Sequence, residues 1–189
     1  EPYPVGTFQP QDWAALPDTK AQAALIRAAR SFWKIPDSAA ILAAPGASAL
    51  IARIPSLLPA GQVQIEGPTY NEHAAAFAAA NWQISSVASD ARVVVHPNNP
   101  TGAFWDGQGH HKLLVIDESF CDIAPTRTLI ARAAEPDTLI LKSFGKFWGL
   151  AGLRLGFVIG DPVRIARLRE MLGPWPVSGP ALHIATKAL

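Results

Sequence analysis

Apolar and polar positions fall into blocks along this chain, and the period changes from block to block. From Asp18, the stretch DTKAQAALIRAARSFWKI places Leu25, Ile26, Ala29, Phe32 and Trp33 at helical spacing, with Lys and Arg mostly between them. This predicts an amphipathic helix that ends before Pro36. A short apolar run, Ile41-Leu42-Ala43-Ala44, is followed by Pro45-Gly46-Ala47-Ser48 and a second helical pattern. After Gly61 the order repeats, with Val63-Gln64-Ile65 as a strand, Gly67-Pro68-Thr69-Tyr70 as a turn, and an Ala-rich helix to about Ala80. Three more runs follow: Val93-Val94-Val95, Leu113-Leu114-Val115-Ile116 and Leu139-Ile140-Leu141. Each is short, continuous and at once followed by polar residues, as buried strands of a parallel sheet are. A further strand is predicted over Arg154–Ile159, and Gly160-Asp161-Pro162 opens a helix running to Leu172.

Alternating strands and helices predict an α/β fold of three layers, α/β/α, around a mostly parallel sheet, with ligands bound beyond the carboxyl ends of the strands. Those ends carry Gly46-Ala47-Ser48, Tyr70, the run His96 to Gly102, Asp117-Glu118-Ser119-Phe120 and Ser143-Phe144-Gly145-Lys146. Polar and reactive types gather there while the strands are almost wholly apolar, which predicts a site.

Composition narrows the class. In 189 residues, 49% are apolar and 16% charged, which excludes intrinsic disorder. Sixteen Lys and Arg against 15 Asp and Glu give a net charge of +1 with no basic run, so nucleic acid and anionic membranes are not expected partners. One cysteine, Cys121, can form neither an internal disulfide nor a multi-cysteine metal site, and it leads to the expectation of a reducing cytoplasm. It is expected to be a small buried residue. No apolar stretch reaches the roughly 18 residues of a membrane span; no signal peptide is expected at the N-terminus, with one already lost as the alternative for a sequence that starts Glu1-Pro2 without Met. His73 and His183 lie on predicted helices and are expected to pack or cap; His110-His111 reads as a loop, with no third ligand at zinc spacing, so no metal site is expected.

The runs HPNNPTG at 96–102, VIDESF at 115–120 and SFGKFWGLAGLRLGF at 143–157 resemble the fold-type I pyridoxal-phosphate enzymes of the class I/II aminotransferase superfamily. Within it, the last of these runs, GPTYNEHA at 67–74 and GPWPVSGPAL at 173–182 are similar to the threonine-phosphate decarboxylases of cobalamin synthesis, with histidinol-phosphate aminotransferases as close relatives. The resemblance implies a pyridoxal-phosphate large domain over residues 13–160, an N-terminal segment over 1–12, and a helix over 161–189 leading into a C-terminal small domain that is mostly missing. It also implies a small phosphorylated amino-acid substrate and a homodimer.

Pyridoxal 5'-phosphate needs an amine to hold it as a Schiff base and to move protons at the substrate Cα, and Lys146 matches that lysine; its bland alternative is a solvated surface lysine. Arg154 matches the phosphate-gripping arginine, Ser143 would add a hydroxyl, and Gly46-Ala47-Ser48 would offer backbone N–H groups at a helix start, although Pro-Gly-Ala-Ser is also an ordinary turn. Asp117 matches the carboxylate paired with the pyridine nitrogen, Asn99 the amide bonded to the phenolic oxygen, and Tyr70 the ring-stacking aromatic. Phe120 stands where many transaminases have a tyrosine. Phenylalanine cannot donate, which leans away from an ordinary transaminase and leaves Asn99 that contact alone.

The spacing departs from the family too: 18 positions separate Asn99 from Asp117, and Gly107 to His111 shows no helical pattern where the family has a crossover helix. The stretch from Tyr70 to Asn99 is similarly compressed, so residues that the family has are expected to be missing from both. The first reading is a decarboxylase acting on L-threonine O-3-phosphate. An aminotransferase, for instance on histidinol phosphate, uses the same residues. Ser143 to Lys146 is also formally S-x-x-K, the acyl-enzyme motif of penicillin-binding proteins, but its S-D-N and K-T-G partners are missing. A non-catalytic binding module is the fourth reading.

Overall fold

Burial on both faces of the central strands sets the architecture. β5 (Leu113–Asp117) and β7 (Gly156–Gly160) are buried at every position and β6 (Thr138–Ser143) at all but the last. Such strands require cover on both sides. The structure, a computed structural model, describes residues 10–87, 90–107 and 111–189; the predicted N-terminal residues 1–9 and His110 lie outside that range. With β1 (Ala40–Ala44), β2 (Gln62–Ile65), β3 (Gln83–Ser85) and β4 (Ala91–Val95), the described strands form one sheet in the order β1-β7-β6-β5-β4-β2-β3. β7 runs antiparallel to its neighbours β1 and β6, and all other pairs are parallel.

Helices cover the two faces. On one, α2 (Thr19–Trp33) and α6 (Gly179–Ala188) pack Leu25, Ala29, Trp33, Leu182 and Ala185 against Ile116, Ile140 and Phe157. On the other, α3 (Ala47–Ile51), α4 (Asn71–Ala79) and α5 (Pro162–Leu172) bring Leu50, Phe77, Ile165 and Leu168 onto Val115, Leu139 and Val158. The three-layer α/β/α expectation is therefore what the chain adopts. A short α1 (Pro10–Ala14) lies against α6. Capping sets the ends: the Asp18 carboxylate accepts from the Ala21 amide at 2.7 Å to start α2, and Lys34 in the left-handed region ends it. Asp161 accepts from the Val163 and Arg164 amides, with Pro162 in the first turn, to start α5.

Two details differ from the pattern read along the chain, and a third agrees with it. β3 was not anticipated: Gln83 and Ile84 are exposed, and the segment becomes a strand only because β2 offers it an edge. The strand expected from Arg154 begins at Gly156, because Arg154 adopts φ 50° and closes the turn over Ala151–Leu153. The short β4–β5 connection contains no helix among the described residues. Instead the Trp105 indole packs onto the core there, with the guanidinium groups of Arg92 and Arg132 at 5.4 and 5.2 Å from its ring centre. The β5–β6 connection is likewise made of 3-10 turns, at Cys121–Ile123, Pro125–Arg127 and Ile130–Ala134, and the last buries Ile130 and Ala133. No helix among the described residues is long and apolar enough to cross a membrane.

Ile140, fully buried at the centre of β6, tests this layering. Ile140→Ala is expected to lower stability by about 2–5 kcal/mol in urea denaturation. Ile84→Ala, on the half-exposed edge strand, should cost less than about 1 kcal/mol in the same measurement.

Candidate active site

Asp117 ends β5 with its carboxylate turned to the α4 side of the sheet. It is buried, and an unpaired charge there would be costly. One carboxylate oxygen accepts from the Ser119 amide at 2.9 Å, and the other lies 2.8 Å from His73 Nε2. Burial alone would push the Asp117 carboxyl up, but the hydrogen bond and electrostatic attraction of His73, together with Ser119, outweigh it and hold the group below its ordinary value. Asp117 is thus an anion at neutral pH. His73, expected only to pack or cap, is the residue that makes it so; it sits one turn into α4 beside Tyr70, ring edge to face at 6.0 Å. Burial, and then the nearby Glu72 and Asp117 carboxylates, push the Tyr70 phenol up.

Other strand ends close around it. The Asp117 carbonyl accepts from the His96 amide at 2.8 Å, joining the ends of β4 and β5. Asn98 then ties the turn bearing Asn99 to the turn bearing Tyr70: its side chain accepts from Thr69 Oγ1 at 2.6 Å and donates to the Pro68 carbonyl at 2.9 Å. The Ser143 hydroxyl accepts from the Gly145 amide at 3.2 Å, shaping the turn that carries Lys146. The Lys146 amine lies 5.2 Å from the centre of the Phe120 ring.

Opposite, Gly46 (φ 86°) opens α3, and among the described residues no side chain caps that helix. A Cβ on Gly46 would come 2.8 Å from the Arg154 guanidinium, and a Cβ on Gly156 would strike the Ala47 backbone. Two glycines thus let a guanidinium and a helix-opening backbone stand together, a cradle for an anion.

All ten residues singled out in the sequence line one cavity of about 220 Å³: Gly46, Ala47, Ser48, Tyr70, Asn99, Asp117, Phe120, Ser143, Lys146 and Arg154. Ser119 and Gly145, which belong to the same strand-end runs but match no cofactor role, also line it. An amine, a fixed carboxylate, an amide, an aromatic face and an anion cradle therefore share one space. That set suits a ring with a basic nitrogen and a phosphate arm.

Another group of titratable residues lies close by. His96, Glu118 and Cys121 bring possible ligand atoms within 4.8 Å of one another. Each is otherwise engaged: His96 Nδ1 accepts from the Trp105 amide, its Nε2 donates to the Arg127 carbonyl, and Glu118 pairs with Lys142. Burial, with Glu118 alongside, pushes the Cys121 thiol up to about 12, so it remains protonated as a small core residue.

Residues 91–189 match the family described as aminotransferase class I and II. The whole chain aligns with a threonine-phosphate decarboxylase of Pseudomonas aeruginosa at 34% identity over 212 residues, covering 61% of that protein. A threonine-phosphate decarboxylase of Sinorhizobium sp. aligns at 39% identity over 199 residues, covering 94% of this chain and 59% of that one. The chain therefore spans about three fifths of the length of these curated relatives. The first alignment is longer than the 189 residues of this chain, so that relative has internal residues lacking here, in keeping with the short connections. In fold, the chain is similar to a histidinol-phosphate aminotransferase of Sinorhizobium meliloti solved with pyridoxal-5'-phosphate, with a TM-score of 0.81, 19% identity, and 95% of this chain and 57% of that one covered.

The Asp117–His73 pair makes a pH-dependent prediction. A carboxyl depressed in the folded state contributes stability that is present above about pH 3.9 and lost as pH falls through its folded value. His73→Phe removes the largest opposition to burial and leaves only the Ser119 bonds, so the Asp117 value should rise. The variant is expected to lose about 3–5 kcal/mol at pH 7, and the deficit should shrink as pH falls toward about 4. Urea denaturation at both pH values checks this; a deficit independent of pH would mean that His73 acts through packing alone.

Proposed function

Because the chain belongs to the family of class I and II aminotransferases, we propose that it is a pyridoxal-phosphate-dependent lyase removing the α-carboxylate of L-threonine O-3-phosphate. The products are carbon dioxide and (R)-1-aminopropan-2-yl phosphate, as in cobalamin synthesis. The observation that carries this reading is the convergence of Lys146, Asp117, Asn99 and Arg154 on one cavity, in a chain that aligns end to end with a threonine-phosphate decarboxylase. When bound, pyridoxal phosphate supplies an aldehyde for the substrate amine and a ring that accepts the electrons released at Cα.

The chain's own residues then have distinct tasks. The Lys146 amine holds the cofactor's aldehyde carbon and delivers a proton to the substrate Cα. The Asp117 carboxylate, kept ionised by His73, accepts a hydrogen bond from the ring nitrogen and favours its protonated form. Asn99 donates to the phenolic oxygen, and Tyr70 covers one ring face. Gly46, Ala47 and Ser48 offer backbone N–H groups to the phosphate, joined by the Ser143 hydroxyl and the Arg154 guanidinium. Phe120 adds apolar contact beneath Lys146 without a hydroxyl.

The phosphate on the substrate and the second copy of a homodimer are the partners of this reading, and nucleic acid and membrane are not among them. An aminotransferase remains the second reading, favoured by the family's own description, since the same residues serve both reactions.

Absorption spectra of the protein with added pyridoxal phosphate test the cofactor assignment. A visible band is expected that disappears in Lys146→Ala, and Arg154→Gln should weaken cofactor binding by about 10- to 100-fold, the value of a charged hydrogen bond. Carbon dioxide release from L-threonine O-3-phosphate would support the lyase. Amino-group transfer to a keto acid without carbon dioxide would replace it by the aminotransferase.

A further inference from the structure

Four residues before Lys146 stands a second lysine that takes no part in the chemistry above. Lys142 is 1% exposed, on the α2 side of the sheet, away from the cavity. Its ammonium lies 2.8 Å from a Glu118 carboxylate oxygen and 3.0 Å from one of Asp122. Burial alone would push it down, but the two carboxylates outweigh burial and hold it above the ordinary lysine value. It is a fixed cation, not a spare amine.

Its two carboxylates are shared with the segments that build the site. Asp122 accepts from the indole N–H of Trp33 at 3.0 Å and from that of Trp148 at 2.8 Å. Glu118 accepts from Thr128 Oγ1 at 2.6 Å and from the Leu129 amide. Trp148 in turn stacks flat on Phe144, with ring centres 4.8 Å apart. Phe144 and Trp148 flank Lys146 in sequence on either side, Glu118 follows Asp117, and Lys142 precedes Ser143. The Glu118 amide also donates to the Leu141 carbonyl at 3.0 Å, joining the two strand ends. One ion cluster therefore stands behind three of the residues that face the cavity.

We propose that Lys142 is a positioning residue: held between Glu118 and Asp122, it fixes the Trp148 indole and the paired ends of β5 and β6, and through them the placement of Lys146, Ser143 and Asp117. This rests on the pyridoxal-phosphate reading of the cavity. Without the cation, two buried carboxylates face each other, and one must take up a proton or move. If Asp122 moves, it releases Trp148, and the turn carrying Lys146 loses its anchor.

The test measures dissociation constants for pyridoxal phosphate by absorption titration in the intact protein, below each variant's melting temperature, alongside the melting temperatures themselves. The variants are Lys142→Met, Asp122→Asn, the double variant, and Leu168→Ala, a fully buried position on α5 in the core on the other face of the sheet. Lys142→Met and Asp122→Asn are each expected to weaken binding by about tenfold or more, and the double variant by no more than about the worse single one, because the two act as a unit. Leu168→Ala should lower the melting temperature while holding binding within about threefold. A Lys142→Met that melts early yet binds within about threefold of the parent, as Leu168→Ala does, would overturn the proposal, and so would effects that simply multiply. If Lys142→Met does not fold, the nearly isosteric Asp122→Asn decides alone by the same threshold of about threefold. A parent protein that shows no band dependent on Lys146 would instead overturn the cofactor reading, and this inference with it, before any variant is compared.

Discussion

A sheet whose central strands are buried on both faces leaves polar groups only one place, the strand ends, and even there each charge must be paired. The end of β5 shows how far this reaches. Asp117 and Glu118 are consecutive, so their side chains leave opposite faces of the sheet. Both are almost fully buried. Asp117 finds His73 on the α4 side, and Glu118 finds Lys142 on the α2 side. One side became a cavity wall and the other a packed ion cluster, from one physical requirement met twice.

The reversed strand β7 explains why the anion cradle exists at all. Six strands run one way, so their carboxyl ends gather on one rim. β7 runs the other way, so its beginning lies on that rim, and Arg154, two residues before it, arrives beside Gly46. Gly156 is required because β7 and the start of α3 meet there more closely than a Cβ allows, and Gly46 is favoured by its φ of 86°. The cradle is thus a product of topology as much as of the residues in it.

Membership of the aminotransferase family and the short connections are compatible for the same reason. The cavity is built from strand ends and the turns immediately beyond them, whereas the missing length is expected between Tyr70 and Asn99 and in the β4–β5 crossover. In that crossover the Trp105 indole, near two guanidinium groups, packs onto the core, and in the next connection a run of 3-10 turns after β5 does the same. Asn99 and Asp117 keep their places because β4 and β5 still pair in register, Val95 opposite Asp117.

The amino-acid sequence by itself determined the α/β class, the apolar strands and the ten cavity residues, because strand burial is written in continuous apolar runs and the site residues sit within short ordered motifs. It determined the helix starts at Asp18 and Asp161 as well, since capping is local. Only the tertiary structure decided that β7 is antiparallel, that β3 exists, and that Asn98 joins two turns. It also decided the partners of the buried charges. His73 and Asp117 are 44 positions apart, and Lys142 lies 20 and 24 positions from its carboxylates. Along the chain His73 is one more residue of an Ala-rich helix, and Lys142 a polar break at the end of a strand. What they do is set by which groups the packed sheet brings within hydrogen-bond distance, and no local pattern of hydrophobicity encodes that.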